Sequence, residues 1–339
     1  MTTYKEIKGT QIEVLASDPS NPVEGQVWYN STSNVLKGQA VTTAGSWATG
    51  GNLNSTRANT GGAGTQTSAL AFGGLNAPVY GLAVTESYNG SAWTEVADLN
   101  TARGQMGGTG SSNTNALSFG GWTLPPFTFY ANTETWNGSS WTEVSDLNQA
   151  RSLGGSAGAD NTSALFFGGY FYPPSVSPVV RYALTESWNG SSWTEVADLN
   201  QARNDFAGSN GTQTSALVYG GDQDPPNYSL TESWNGTNWT EVNDLNAAST
   251  AGGGAGADNT SALQFGGNPI PVVGAQTEEW NGTSWTETTD MSTGRSNITG
   301  TGTQTSALGF GGNTPPTTTT ATEEWTGAGA PLTVTFTDS

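Results

Sequence analysis

The stretch Ser68–Asn100, SALAFGGLNAPVYGLAVTESYNGSAWTEVADLN, decides the fold. Short apolar runs alternate in it with turn signals. SALAF ends at Gly73-Gly74, TESY ends at Asn89-Gly90, and WTEV comes next. Runs of this length, rich in β-branched and aromatic residues and bounded by Gly and Asn, read as strands. Asn-Gly between two of them reads as a tight hairpin whose two turn positions both need positive φ.

The same wording recurs on either side. Gly-Gly pairs begin at Gly73, Gly120, Gly168, Gly220, Gly266 and Gly311, at intervals of 47, 48, 52, 46 and 45 residues. Each closes an apolar run of the SALxF kind, and each is followed by a variable segment and then by a TESW-like run. Every unit reads as four strands. The first is a Gly-rich stretch after an L-N-x-x-R corner, such as RGQMGGTG (103–110); SALxFGG, TESW and WTEV supply the others. Four-stranded units of this length build propeller blades. The expected fold is all-β, a six-bladed β-propeller with four antiparallel strands per blade. The Gly-rich strand belongs nearest the axis, where blades crowd and large side chains do not fit.

Eleven of the 13 Trp fall in two repeated slots. Trp47, Trp93, Trp141, Trp193, Trp239 and Trp285 share the fourth-strand slot. Trp136, Trp188, Trp234, Trp280 and Trp325 share the third-strand slot, with Tyr88 in the first unit. Both sets are expected to fill the wedges between blades. The sixth unit runs out after Trp325, but AGSWATGGNLNSTR (44–57) carries Trp47, Leu53, Asn54 and Arg57 in fourth-strand register. An N-terminal strand is therefore expected to complete the last blade, close the ring and remove a sheet edge. This divides the chain into an N-terminal β-rich attachment segment (1–42), the propeller (43–327) and a C-terminal strand or tail (328–339).

Composition narrows the function. The 339 residues include no Cys, so disulfides and thiolate metal sites are excluded. They include no His, which removes the commonest general base and metal ligand. The formal charge of −19 opposes binding to phosphate backbones and anionic membranes. No apolar run approaches the roughly 18 residues that a membrane span needs. The first residues, MTTYKEIKGTQIEVL, hold no apolar signal core, so no signal peptide is expected.

The pattern W-x-x-x-x-x-L-N-x-x-R, then an apolar strand ending in Gly-Gly, then an aromatic, resembles the kelch repeat over roughly residues 44–327. The near-identical wording of the units, as in GTQTSALAFGG and TEEWNGTSW, is similar to kelch-like proteins of marine phages, cyanophages especially. DPSNPVEGQVWYNSTSNVLKG (18–38) resembles short β-rich modules of phage tail fibres and other virion proteins. Galactose oxidase, a kelch-type propeller enzyme, depends on His copper ligands and a Cys–Tyr crosslink, and this chain has neither residue type.

Charged residues in repeated slots read first as structure. Glu86, Glu134, Glu186, Glu232, Glu278 and Glu323 share one slot; Glu95 and Asp98 head two more. A glycosidase pair needs two carboxylates in unlike environments, whereas repeated slots distribute them evenly around a ring. Arg57, Arg103, Arg151, Arg203 and Arg295 share the corner, with Ser249 in the sixth place. They either hold their own corners or offer positive charge to an acidic ligand. Asp222-Gln-Asp-Pro is either a polar turn or a cation contact.

Function is more visible where the repeat breaks. The segments between second and third strands differ in every unit, and loops on a rigid scaffold commonly carry binding. Candidate ligand-binding residues are Trp122, Phe127, Phe129, Tyr130, Tyr170, Phe171, Tyr172, Tyr182, Asp222 and Tyr228. Their rings either stack on sugars or a protein partner, or pack on one another. The leading expectation is a non-enzymatic phage virion protein of the tail, fibre or particle surface, made in the host cytoplasm. Its implied partners are other virion proteins and a host cell-surface glycan, with a homo-oligomer left open. No nucleic acid, membrane insertion, cofactor, metal or catalytic residue is expected. The alternatives are a soluble lectin-like or peptide-binding propeller, and a carbohydrate-active enzyme using Asp222 and Asp224.

Overall fold

The computed structural model describes residues 12–20, 22–23, 25–41, 44–172, 179–223, 227–268, 273–329 and 331–336. Strands joined by turns and irregular segments make them up, with no helix among the described residues. They form two compact units: Ser46–Thr326, and Met1–Gly45 together with Gly327–Ser339.

The larger unit carries six four-stranded antiparallel sheets in succession, as in a multi-bladed β-propeller. The first blade consists of Gly61–Thr65, Ser68–Phe72, Thr85–Tyr88 and Trp93–Val96. Blades 2 to 5 repeat this order over 107–144, 155–196, 208–242 and 253–287. The sixth has Thr299–Thr303, Ser306–Phe310 and Thr322–Thr326, and takes Ser46–Thr49 as its fourth strand. Trp47 lies directly opposite Trp325 in that pairing.

Each wedge between blades is built by the same three groups. The fourth-strand Trp packs on the last aromatic of the preceding blade's second strand: Trp141 on Phe72 at 4.9 Å, Trp93 on Phe310 at 5.0 Å. Its indole N–H donates to the first Thr of the preceding third strand, Trp141 to Thr85 and Trp93 to Thr322, both at 3.1 Å. Its other face meets the third-strand aromatic of its own blade, as in Trp136–Trp141 at 5.4 Å. Burying a large ring while giving its N–H an acceptor is the condition under which Trp stabilises an interior.

The inner strands approach so closely that only small residues fit. A Cβ on Gly108 would lie 2.9 Å from the backbone of Gly62 in the neighbouring blade. Just before these strands, Asn59, Gln105, Leu153, Asp205, Ala251 and Asn297 all take φ between 52 and 56°. Each backbone N–H donates to the corresponding carbonyl of the preceding blade at 2.6–3.1 Å, and the sixth link, Asn59 to Asn297, returns to the start. Left-handed φ costs a non-Gly residue roughly 1 kcal/mol, so this cycle of bonds offsets six local penalties.

Two local expectations are corrected. Asn89-Gly90 does not form a two-residue turn with both φ positive: Gly90 has φ 89°, Asn89 is not left-handed, and Tyr88 pairs with Trp93 across four residues. The Asn89 side-chain oxygen accepts the N–H groups of Ser91 and Ala92, both at 3.0 Å, so an Asx turn replaces the tighter hairpin. Four of the variable segments are not plain loops. They carry short antiparallel hairpins: Leu75–Asn76 with Val79–Tyr80, Trp122–Thr123 with Thr128–Phe129, Tyr170–Phe171 with Val180–Arg181, and Asn313–Thr314 with Thr317–Thr318.

The smaller unit is one four-stranded sheet. Glu13–Leu15 runs parallel to Val27–Asn30, which pairs with Val35–Val41, which pairs with Pro331–Phe336. Val35–Val41 and Pro331–Phe336, far apart in the sequence, thus share a sheet. Asp18 anchors it, accepting from Trp28 Nε1 at 3.0 Å and Asn30 Nδ2 at 2.8 Å and pairing with Lys37 at 2.7 Å. These donors, Lys37 foremost, hold the Asp18 carboxyl down at about 2.

Candidate functional site

In five blades the corner before the inner strand and the segment after the second strand are joined by an isolated bridge, such as Gly104 with Trp122 and Ser152 with Tyr170, and in blade 5 Asn268 N–H donates to Thr250 O at 2.8 Å. Corners and variable segments therefore lie together, and the candidate site is built on that side of the propeller.

The corner arginines are structural. Arg57, Arg103, Arg151, Arg203 and Arg295 are 0% exposed, and each pairs with the carboxylate of its blade's third strand at 2.5–3.0 Å: Glu86, Glu134, Glu186, Glu232 and Glu323. In the first four the second carboxylate oxygen accepts both the backbone and the side-chain N–H of the corner Asn, as Glu134 does from Asn100 at 2.8 and 2.9 Å. These guanidinium groups are buried within their own corners. The third-slot acids face outward, Asp98 accepting the N–H of Thr85 at 3.2 Å.

Blade 5 departs from this. Glu278 keeps its bonds from Asn246, but Ser249 stands where the arginine would be and its buried hydroxyl has no partner. Gln264 Nε2 takes over one arginine bond, donating at 2.9 Å to Gly266 O; the equivalent Gly220 O accepts from Arg203 in blade 4. Burial pushes the Glu278 carboxyl up, with the Glu287 charge adding to it.

The aromatic candidates come together in part. Trp122, Phe127 and Phe129 of the second hairpin meet Tyr170, Phe171 and Tyr172 of the third through ring contacts of 5.0–5.9 Å. Tyr80 extends the row, stacked on Trp122 at 6.4 Å. Trp122 also donates its indole N–H to the Gln105 carboxamide. The rings form one crest and largely cover one another. Its exposed members are distinctive: Val79, Tyr80, Leu124, Tyr172 and Val180 are all the exposed large apolar side chains among the described residues of the propeller unit. All five sit on the hairpins of blades 1 to 3.

Tyr130, Tyr182 and Tyr228 are not part of the crest. Their backbones repeat one role, each N–H donating to the carbonyl of a second Gly, at Gly121, Gly169 and Gly221 (2.9, 2.8 and 2.8 Å). Leu82, Gly274 and Thr319 make the same bond in the other blades, so the side chain varies while the backbone role repeats, and unequal segment lengths hide the slot in the sequence. Asp222 pairs at 3.3 Å with Arg181 of the third hairpin, the residue opposite Tyr170 in that hairpin. Its neighbour Asp224 lies outside the described residues.

Two cavities open among these elements. One of about 150 Å³ is lined by the residues of the hydrogen-bonded ring and the inner-strand glycines that follow them, and there burial together with the Asp222 charge pushes Asp205 up to about 7. The other, of about 660 Å³, lies between the first and sixth hairpins. Neither NAPVY nor NTPPTTTT carries a signal for it, because each segment supplies only one wall.

No protein-family model matches the chain, and no curated protein matches it. Among solved structures, that of YjhT aligns with a TM-score of 0.64 over 80% of this chain and 95% of that one, at 13% identity. At that identity the likeness concerns the fold alone.

Proposed function

We propose that this chain is a kelch-type propeller of a phage particle, a non-enzymatic tail, fibre or surface component whose hairpin face contacts a host surface glycan or a neighbouring virion protein. The observation that carries this is the confinement of all exposed large apolar side chains of the propeller unit, among the described residues, to three adjacent hairpins. A frame that buries its wedge Trp and its corner Arg–Glu pairs so completely has no packing need for them there. Contiguous exposed apolar groups on a rigid support mark an interaction surface. The third-strand glutamates are engaged by corner arginines and amides, and Asp98, Asp146, Asp198 and Asp244 by the third-strand backbone, which disfavours a carboxylate-pair hydrolase built on them. The kelch and virion parts of the reading rest on the sequence resemblance.

Mass spectrometry of gradient-purified phage particles tests the virion role; the chain should co-purify at stoichiometric level. Its absence from particles, with retained glycan binding by the isolated chain, would leave the soluble lectin-like alternative. Tyr172→Ala together with Val180→Ser should weaken attachment to the partner virion protein while leaving the melting temperature unchanged.

A further inference from the structure

The cavity between the first and sixth hairpins differs in kind from the crest. Three carboxamides, Asn59, Asn76 and Asn313, line it with the Tyr80 ring and the Pro315 and Pro316 surfaces. Among the described residues, no charged one lines it, in a chain of net charge −19. Its about 660 Å³ falls within the roughly 300–1,000 Å³ usual for small-ligand sites. Its walls are held, not merely adjacent: Thr318 Oγ1 donates to Asn76 Oδ1 at 3.1 Å across the blades, and Asn76 Nδ2 donates to Thr56 Oγ1 at 3.0 Å.

We infer that this groove binds a neutral saccharide. Carboxamides and hydroxyls supply donors and acceptors to sugar hydroxyls at no cost in buried charge. The half-exposed Tyr80 ring and the two prolines supply apolar surface for the C–H face of a pyranose. An acidic sugar would meet no cation there, and the surrounding charge would repel it. The inference rests on the reading that the hairpin face contacts a glycan, and it moves that glycan from the aromatic crest to the groove.

Saturation-transfer NMR on the full chain tests it, with disaccharides of glucose, galactose, mannose and N-acetylglucosamine, and with glucuronate as the acidic control. At least one neutral disaccharide should receive transfer, and glucuronate should receive none. Thr317→Trp, an exposed position on the groove wall, should block the space and weaken binding at least about tenfold, some 1.4 kcal/mol. Tyr172→Ala should leave it within about twofold. Each variant is first checked by melting temperature against the parent chain. Binding that survives Thr317→Trp but is lost with Tyr172→Ala would overturn the groove and keep the glycan reading. Preference for glucuronate would overturn the neutral ligand. No transfer to any sugar would overturn both.

Discussion

Blade 5 and blade 3 answer the same structural problem differently. In blade 3, Arg151 is fully buried and bonds Glu186 and the carbonyl of Phe166 at 3.0 Å. In blade 5, Glu278 occupies the same slot and keeps the same corner Asn, but a serine replaces the guanidinium. The surroundings have changed with it. Gln264 stands where blade 3 has Phe166, and its amide serves one carbonyl that an arginine serves elsewhere. One polar amide does not replace a charge. Ser249 Oγ and Gln276 Oε1 are left buried without partners, and the Glu278 carboxyl is pushed up by burial. The corner is thus a coupled set, and losing its cation is compensated only in part.

The largest effect should come from turning blade 3 into blade 5. Arg151→Ala strands a buried Glu186 carboxylate, and removing one partner of a buried pair costs about 3–5 kcal/mol. Urea unfolding followed by Trp fluorescence should show that loss. Adding Glu186→Gln should recover part of it, because the stranded charge and not the missing bonds dominates. Equal instability of the single and double variants would show that packing of the arginine stem matters more.

The reverse exchange is smaller. Ser249→Arg with Gln264→Ala restores the guanidinium and the room for it. Hydrogen bonds to charged groups contribute about 1.5–3 kcal/mol, so a stabilisation of about 1–3 kcal/mol is expected by the same measurement. A destabilised double variant would mean that blade 5 has repacked around its serine.

What the sequence makes visible follows from how each feature is built. The blades, the corner Arg–Glu slots and the Trp wedges are made by one side-chain type at one spacing, so they can be read from residues alone. Trp47 could be matched to Trp325 for that reason. The ring at the axis is made by backbone, and Asn59, Gln105, Leu153, Asp205, Ala251 and Asn297 share no side chain that would reveal it. Asn89-Gly90 spells a two-residue hairpin but does not form one, because the Asn side chain caps its own turn, a competition that the dipeptide does not disclose. At the candidate site, Trp122, Phe129 and Tyr170 were picked as rings outside the repeat, and they do cluster. The neighbouring groove was missed because Asn76 and Asn313 stand 237 residues apart (313 minus 76) and meet only across the blades.

The smallest effect concerns pH, and it separates blade 5 from the rest most cleanly. A carboxyl whose folded pKa is raised holds its proton more tightly in the folded chain than in the unfolded one. Between the ordinary carboxylate range and that raised value, the folded state binds more protons, so stability falls as pH rises. At neutral pH Glu278 therefore carries a penalty that is relieved as the solution is acidified toward the usual carboxylate range. The parent chain and Ser249→Arg should consequently converge in melting temperature as pH is lowered from neutrality toward the ordinary carboxylate range, although both lose the stability of other ionised carboxylates at still lower pH. Glu278→Gln should flatten the same difference by removing the titrating group. A gap between parent and Ser249→Arg that stays constant with pH would mean that Glu278 is ionised without penalty, and that Asn246 alone stabilises its charge.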